Sequence, residues 1–295
     1  MKNILKIIEN RTYSFRLYLN NRFGTDESYL KCMFYHRLGY RLNLNHPETF
    51  NEKLQWMKLH DHNPKYTEYS DKYKVRKHIA QVLGEEYLIP LIGVYSTPDE
   101  IPYDLLPEKF VLKCNHGAGY NYICKNKNMI DKDEVNRKLN GWLLEDFYLD
   151  KREYHYKDIE RKIICEKYME DDSFDTLLDY KFFCINGEVY MIQVDFDRFT
   201  DHRRNIYDVD WNLLDVEINF PKDTQRSVRR PVQLDKMIEF AEKLSKEFRE
   251  VRVDFYLIND RIYFGEMTFF SGAGFSKYTP QSFEAEMGKK LSLIN

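Results

Sequence analysis

The stretch from Val251 to Thr268 constrains this chain more than any other. It reads Val-Arg-Val-Asp-Phe-Tyr-Leu-Ile-Asn-Asp-Arg-Ile-Tyr-Phe-Gly-Glu-Met-Thr, two apolar and aromatic runs around a polar turn, and so predicts a β-hairpin. Side chains alternate between the faces of a strand. Arg252, Asp254 and Tyr256 therefore share one face, and Phe264, Glu266 and Thr268 share one on the return strand. A three-residue loop at Asn259-Asp260-Arg261 predicts Asp254 opposite Glu266 and Arg252 opposite Thr268. Directly opposed Cβ atoms stand roughly 4.5–5.5 Å apart, and like charges that close are destabilising. A cation between them removes the penalty. Mg2+ suits such an oxygen-only pair, because it takes one or two carboxylates and fills its shell with water and phosphate. A solvated outer face of the hairpin is the simpler alternative. A two-residue turn, which puts the acids on opposite faces, removes the metal argument.

The rest of the chain must supply a body for that hairpin. Its 295 residues allow one large domain or two modest ones, and 43% apolar residues are ample for a core. Charge is balanced, with a net of −3, which leaves no global signature of nucleic-acid binding. Cys32, Cys114, Cys124, Cys165 and Cys184 are odd in number and contain no Cys-x-x-Cys pair. They read as small buried residues of a reducing compartment, without zinc. No apolar run approaches the roughly 20 residues that cross a bilayer, and the opening run is short for a secretory signal. A cytoplasmic location is expected, with the inner face of the membrane as one site within it. Residues 1–41 are locally basic, with Lys2, Lys6, Arg11, Arg16, Arg22, Lys31, Arg37 and Arg41 against Glu9, Asp26 and Glu27. Two readings fit: a peripheral amphipathic helix on an anionic membrane surface, or an ordinary helix packed on the body.

Thr49-Phe-Asn-Glu52 is a capping box that opens a helix through about His60. A second helix is predicted from about Thr67 to Leu83, carrying Asp71-Lys72, and a third over Lys132 to Leu149. Strands are predicted at Lys109 to Cys114, Tyr120 to Cys124, Ile163 to Tyr168, Tyr180 to Ile185 and Val189 to Asp195. Pro231 opens an amphipathic helix with Leu234, Met237, Ile238, Ala241, Leu244 and Phe248 along one stripe. The pattern is α+β with antiparallel hairpins.

A second chemistry-bearing stretch is Phe110-Val-Leu-Lys-Cys-Asn-His-Gly-Ala-Gly-Tyr-Asn-Tyr-Ile123. Lys113 ends a strand, and Gly117 and Gly119 let backbone amides approach an anion closely. It is neither a Walker loop nor a dinucleotide fingerprint. A flap over phosphates and a plain hairpin turn both fit it. A nucleophilic Cys114–His116 pair has no evident third partner. Glu166, on an apolar strand, has the chemistry to accept from an adenine amino group.

In order, Asp71-Lys72, Val111-Leu-Lys113 with the glycine loop, Glu166-Lys-Tyr-Met169, Arg252-x-Asp254 and Glu266-x-Thr268 make the chain resemble an ATP-grasp enzyme over about residues 65 to 275. More narrowly it resembles the TupA-like ATP-grasp family, named for teichuronopeptide biosynthesis. Phe50-Asn-Glu-Lys-Leu-Gln-Trp56, Ser70-Asp-Lys-Tyr73, Leu112-Lys-Cys-Asn-His-Gly117, Asp179-Tyr-Lys-Phe-Phe183, Asp195-Phe-Asp-Arg198 and Tyr207-Asp-Val-Asp-Trp211 carry that likeness.

The resemblance implies an α+β ATP-grasp fold in which two subdomains clasp ATP. The expected divisions are a helical region over 1–65, a first part over 66–170 with the glycine lid, and a second over 171–295 with the metal site. By the same likeness Lys72 and Lys113 hold the phosphates, and the loop with His116, Gly117 and Gly119 closes over them. Glu166, Lys167, Tyr168 and Met169 hold adenine. Asp254, Glu266 and Thr268 bind Mg2+, although Thr268 stands where asparagine is usual. Arg252, Lys181 and Arg198 act on the reacting phosphate and the substrate, and Arg203, Arg204 and Asn205 resemble the substrate side of peptide-tailing glutamate ligases. The family's Rossmann-like leading domain is not visible in residues 1 to 65. The implied activity is an ATP-dependent carboxylate–amine ligase acting through an acyl phosphate. The implied partners are a uronic acid of a surface glycan as acceptor and an amino acid or amine as donor. A glycan kinase is the alternative. A third reading, a degenerate nucleotide-binding partner, is opposed by the intact Lys72, Lys113, Asp254 and Glu266.

Overall fold

The computed structural model describes residues 2–172, 177–197, 201–226 and 228–293, with side chains from residue 12 onward. The first half of the chain runs α1 (Lys2–Phe23), α2 (Asp26–Leu38), α3 (Phe50–His60), α4 (Pro64–Ser70), α5 (Val75–Val82), β1 (Leu91–Tyr95), β2 (Phe110–Cys114), β3 (Asn121–Cys124), α6 (Lys132–Leu144), α7 (Tyr148–Lys151) and β4 (Ile163–Lys167). The second runs β5 (Asp179–Ile185), β6 (Glu188–Phe196), β7 (Arg203–Tyr207), β8 (Glu217–Ile218), α8 (Leu234–Ser245), β9 (Glu250–Ile258), β10 (Arg261–Thr268), β11 (Tyr278–Thr279) and α9 (Gln281–Lys290).

Two main antiparallel sheets result, and β8 pairs with β11 in a separate two-stranded ribbon. The smaller main sheet has the order β1-β4-β2-β3 and the larger β10-β9-β5-β6-β7. Alternation decides which face of the larger sheet is greasy. Tyr180, Phe182, Cys184, Val251, Val253 and Phe255 point one way and are buried. There α8 covers them with Met237, Phe240, Ala241 and Leu244. Burying each of its larger side chains contributes about 1.5–3 kcal/mol. Ile238 stays half-buried, and Phe240 takes its place in the stripe. The helix begins at Leu234, three residues past Pro231.

The capping box at α3 forms as expected, and α3 packs on α9 and the turn at Ser271–Gly274. The core of the larger sheet also takes in Tyr66, Tyr69, Val75 and Ile79 from α4 and α5. Two predicted helices are broken. The Thr67–Leu83 helix stops at Ser70, because the Asp71 carboxylate accepts from the backbone N–H of Tyr73 and Lys74 and so offers the chain a turn instead. The helix from Lys132 ends at Leu144, and α7 is a separate short turn. All five cysteines are free thiols. Among the described residues no helix is long and apolar enough to cross a membrane.

Candidate active site

The hairpin reaches the expected pairing by an unexpected route. Its turn has two residues, Asn259 and Asp260, both with positive φ, and Arg261 pairs with Ile258. On that register Gly265 would oppose Asp254, and Glu266 would face away. A β-bulge between Phe264 and Glu266 inserts one residue and restores Asp254 opposite Glu266 and Arg252 opposite Thr268. Gly265 suits the bulge because a Cβ there would lie 3.0 Å from the Asp254 carbonyl oxygen.

The acids are held by a dense set of cations. The Arg252 guanidinium donates to both Asp254 oxygens at 2.7 Å, to Glu266 Oε1 at 2.9 Å and to Thr268 Oγ1 at 3.1 Å. Lys181, opposite Asp254 on β5, donates to Asp254 Oδ2 at 2.7 Å and also to Asp179. Lys72 Nζ lies 3.7 Å from Glu266 Oε2. Burial pushes the Glu266 carboxyl up, but Lys72, Arg252, Lys181 and Lys113 outweigh it and bring it down to about 2. It is a carboxylate at any physiological pH. For Asp254, burial and the neighbouring Asp179 push upward while Arg252 and Lys181 pull down.

Across from these acids, on the smaller sheet, Glu166 accepts from Lys113 at 2.7 Å and from Arg76 of α5 at 2.9 Å. A cleft of about 260 Å³ separates the two sheets. Lys72, Arg76, Lys113 and Lys181 line it together with Glu166, Asp179, Asp254 and Glu266, and Ala118 and Gly119 of the glycine loop close one side. Such a lining fits a nucleotide triphosphate with Mg2+. The acid pair supplies two carboxylates, the number Mg2+ takes when phosphate and water complete its shell. Lysines now occupied by carboxylates are placed to turn to phosphate. Among the described residues no group of three or more His, Cys, Asp and Glu side chains could hold a metal, so the pair does not form a closed all-protein cage.

The loop from Asn115 to Tyr120 is tied to the break after α4. Asn115 Nδ2 donates to Asp71 Oδ1 at 2.8 Å, Lys72 N–H donates to Asn115 O at 3.2 Å, and Lys72 Nζ donates to Gly117 O. Thus Asp71-Lys72 lies in a clipped turn and not on a helix. Gly117 serves packing: a Cβ there would meet the Tyr120 ring at 2.7 Å and the Phe147 ring at 2.9 Å. His116 is buried and bonds the Trp142 carbonyl oxygen at 3.0 Å, away from the cleft lining. Burial keeps its ring below the ordinary histidine range.

Other predicted residues are dispersed. Thr268 sits behind Arg252 and donates to Glu266 at 3.3 Å, outside the cleft lining. Lys167 ends β4 opposite Phe110 of β2, and Tyr168 and Met169 lead into the connection between the sheets. Arg204 shares the cleft face of the larger sheet and donates to Asp195 at 2.7 Å. Its neighbours on β7 point the other way: Arg203 pairs with Asp201, and Asn205 bonds Asp223 on the opposite face. Arg198 lies outside the described residues. Sequence reasoning missed Arg76 and Asp179 as site residues. Asp179 had a signal, being two residues before Lys181 on an alternating strand.

Residues 52–292 match the family described as TupA-like ATPgrasp. The chain belongs to the TupA-like ATP-grasp family. Its two sheets about a cleft lined by paired cations and carboxylates are accordingly the α+β ATP-grasp fold. Among curated proteins none matches it. Solved structures similar to this ATP-grasp chain include D-alanine–D-alanine ligase from Bacillus anthracis, 17% identical, with a TM-score of 0.39 over 68% of this chain and 57% of that one. Another is the ATP-grasp ligase PsnB complexed with a phosphomimetic precursor variant, Mg and ADP, 10% identical, with a TM-score of 0.43 over 81% and 65%. A third is N5-carboxyaminoimidazole synthase from Aspergillus clavatus, 16% identical, with a TM-score of 0.39 over 68% and 44%. This ATP-grasp chain thus spans less than two thirds of each of those proteins.

Proposed function

We propose that this protein is an ATP-dependent carboxylate–amine ligase whose acceptor is a uronic acid of a surface polysaccharide and whose donor is an amino acid or amine. The observation that carries the ATP-dependent part is the cleft itself, with Asp254 and Glu266 opposed in register and facing Lys72, Lys113 and Lys181. The family's name and the chemistry of the cleft support the rest. Mg2+ held by Asp254 and Glu266 would neutralise phosphate charge and align the transferring group. Lys72, Lys113 and Arg76 bind the polyphosphate, and Arg252 and Lys181 hold the acids in place. The acceptor carboxylate attacks the γ-phosphorus and ADP leaves. The amine then attacks the acyl carbon, phosphate leaves, and the amine gives up a proton. Arg204, on the same sheet face as the acids and bonded to Asp195, would turn its guanidinium to the acceptor carboxylate.

The test is acyl-phosphate capture. With ATP, Mg2+ and a uronic-acid glycan, hydroxylamine should yield a hydroxamate, and ADP release should vanish when the glycan carboxylates are first reduced to alcohols. If the reduced glycan is still turned over and gains phosphate, the enzyme is a glycan kinase and the ligase reading is wrong.

A further inference from the structure

Helix α1 has two unlike sides. Tyr13, Leu17 and Asn21 recur every four residues on the side that meets the body. Tyr13 stacks on His36 with ring centroids 3.5 Å apart, Leu17 packs against the cluster of Tyr29, Leu30 and Phe34, and Asn21 accepts from Arg152. Phe15, Leu19 and Phe23 recur at the same spacing two positions later, about 200° round a helix of 3.6 residues per turn. They are 63%, 38% and 76% exposed, and Tyr18 between them is 57% exposed. Single exposed apolar residues are ordinary, whereas a continuous aromatic row marks an interaction surface.

Charge decides what covers this face. From residue 2 to residue 23, Lys2, Lys6, Arg11, Arg16 and Arg22 stand against Glu9 alone, within a chain whose net charge is −3. Arg16 and Arg22 are exposed and flank the aromatic row. A second copy would bring the same positive helix against itself, and like charge opposes that pairing. An anionic lipid surface meets both properties together: rings enter the headgroup–acyl boundary while basic side chains reach phosphates. We propose that α1 docks this enzyme peripherally on an anionic membrane surface through Phe15, Tyr18, Leu19 and Phe23, with Arg16 and Arg22 at the headgroups. The inference does not rest on the ligase reading, because it uses no residue of the cleft.

The experiment is co-sedimentation of the full chain with phosphatidylcholine vesicles and with vesicles containing about one third phosphatidylglycerol. Wild type should bind the anionic vesicles about tenfold or more over the neutral ones, and raising salt from about 0.1 M to about 0.5 M should remove most of that difference. Phe15→Glu/Phe23→Glu should lose binding while keeping its Tm and its elution volume, since both side chains face away from the body. Equal binding to neutral and anionic vesicles, or none to either, overturns the proposal. So does a wild-type dimer that the double variant splits into monomers, which would make the face an interface between copies.

Discussion

Two carboxylate centres face each other across the cleft, and they are built differently. On the larger sheet Asp254 and Glu266 come from adjacent strands, and main-chain register places them. Arg252, locked bidentate onto Asp254, holds both, and Lys181 adds a second contact from the next strand. On the smaller sheet Glu166 stands alone on β4, and one of its two partners comes from helix α5. Backbone hydrogen bonds thus preorganise the first centre, and side chains assemble the second by tertiary docking. Preorganised charge is what a transition state uses, because nothing must reorient as charge develops. The Glu166 partners are long, partly wetted side chains that can swing to a ligand. The larger-sheet centre is therefore suited to the rate, and the Glu166 centre to nucleotide binding.

The sharpest break of that comparison exchanges charge for amide at each centre. Glu266→Gln should lower ADP release by about 10²–10³-fold, the scale for removing one preorganised charge partner from a transition state. Glu166→Gln should weaken ATP binding by about tenfold, with turnover at saturating ATP reduced far less. ADP release across ATP concentrations separates the two effects. A Glu166 variant that loses turnover while ATP affinity holds would reverse the assignment of the two centres.

How far these centres were legible in sequence follows the same division. Alternation put Arg252 with Asp254 on one strand face and Glu266 with Thr268 on another, because strand periodicity is local; that the two faces coincide rested on the turn. The capping box at Thr49 and the apolar stripe of α8 are local too, and the structure has both. The turn length was misread: Asn259-Asp260 forms a two-residue turn, and the bulge that compensates has only Gly265 as a sign. Arg76 reads as a solvated helix charge until β4 brings Glu166 to it, and the break at Asp71 depends partly on Asn115, which arrives from β2. Arg203 and Asn205 were grouped with Arg204 by motif, yet alternation on β7 sends them to the other face. Contacts between elements far apart in sequence carry no local pattern, so the Glu166 centre was the less visible of the two.

A smaller effect comes from acid. The folded Glu266 carboxyl sits at about 2, against an ordinary value of 4.5, so the fold binds this proton less readily than the unfolded chain. The stability it contributes is present above about pH 4.5 and is lost as pH falls from there toward about 2. Thermal melts from neutral pH downward should show wild type above Glu266→Gln near neutrality, with the gap closing across that window. A gap that stays constant through acid would mean that Lys72, Arg252, Lys181 and Lys113 do not hold the carboxylate as the geometry requires.

The smallest effect is expected at Gly265, and it tests whether register alone builds the larger-sheet centre. The bulge sets both Gly265 and Glu266 against Asp254. Deleting Gly265 moves Glu266 into the vacated position, where the two-residue turn already pairs a residue with Asp254. The acids then remain opposed on a strand that has lost only its kink. Substituting Gly265→Val keeps the extra residue and pushes branched carbons at the Asp254 carbonyl, where even a Cβ would stand 3.0 Å away. Overpacking of that kind costs about 1–3 kcal/mol. The deletion should therefore keep the rise in Tm on adding ATP and Mg2+, while the valine variant loses stability and with it part of that response. If the deletion abolishes the response and the valine keeps it, the kink itself shapes the site, and the opposition of Asp254 and Glu266 is not sufficient to bind the nucleotide.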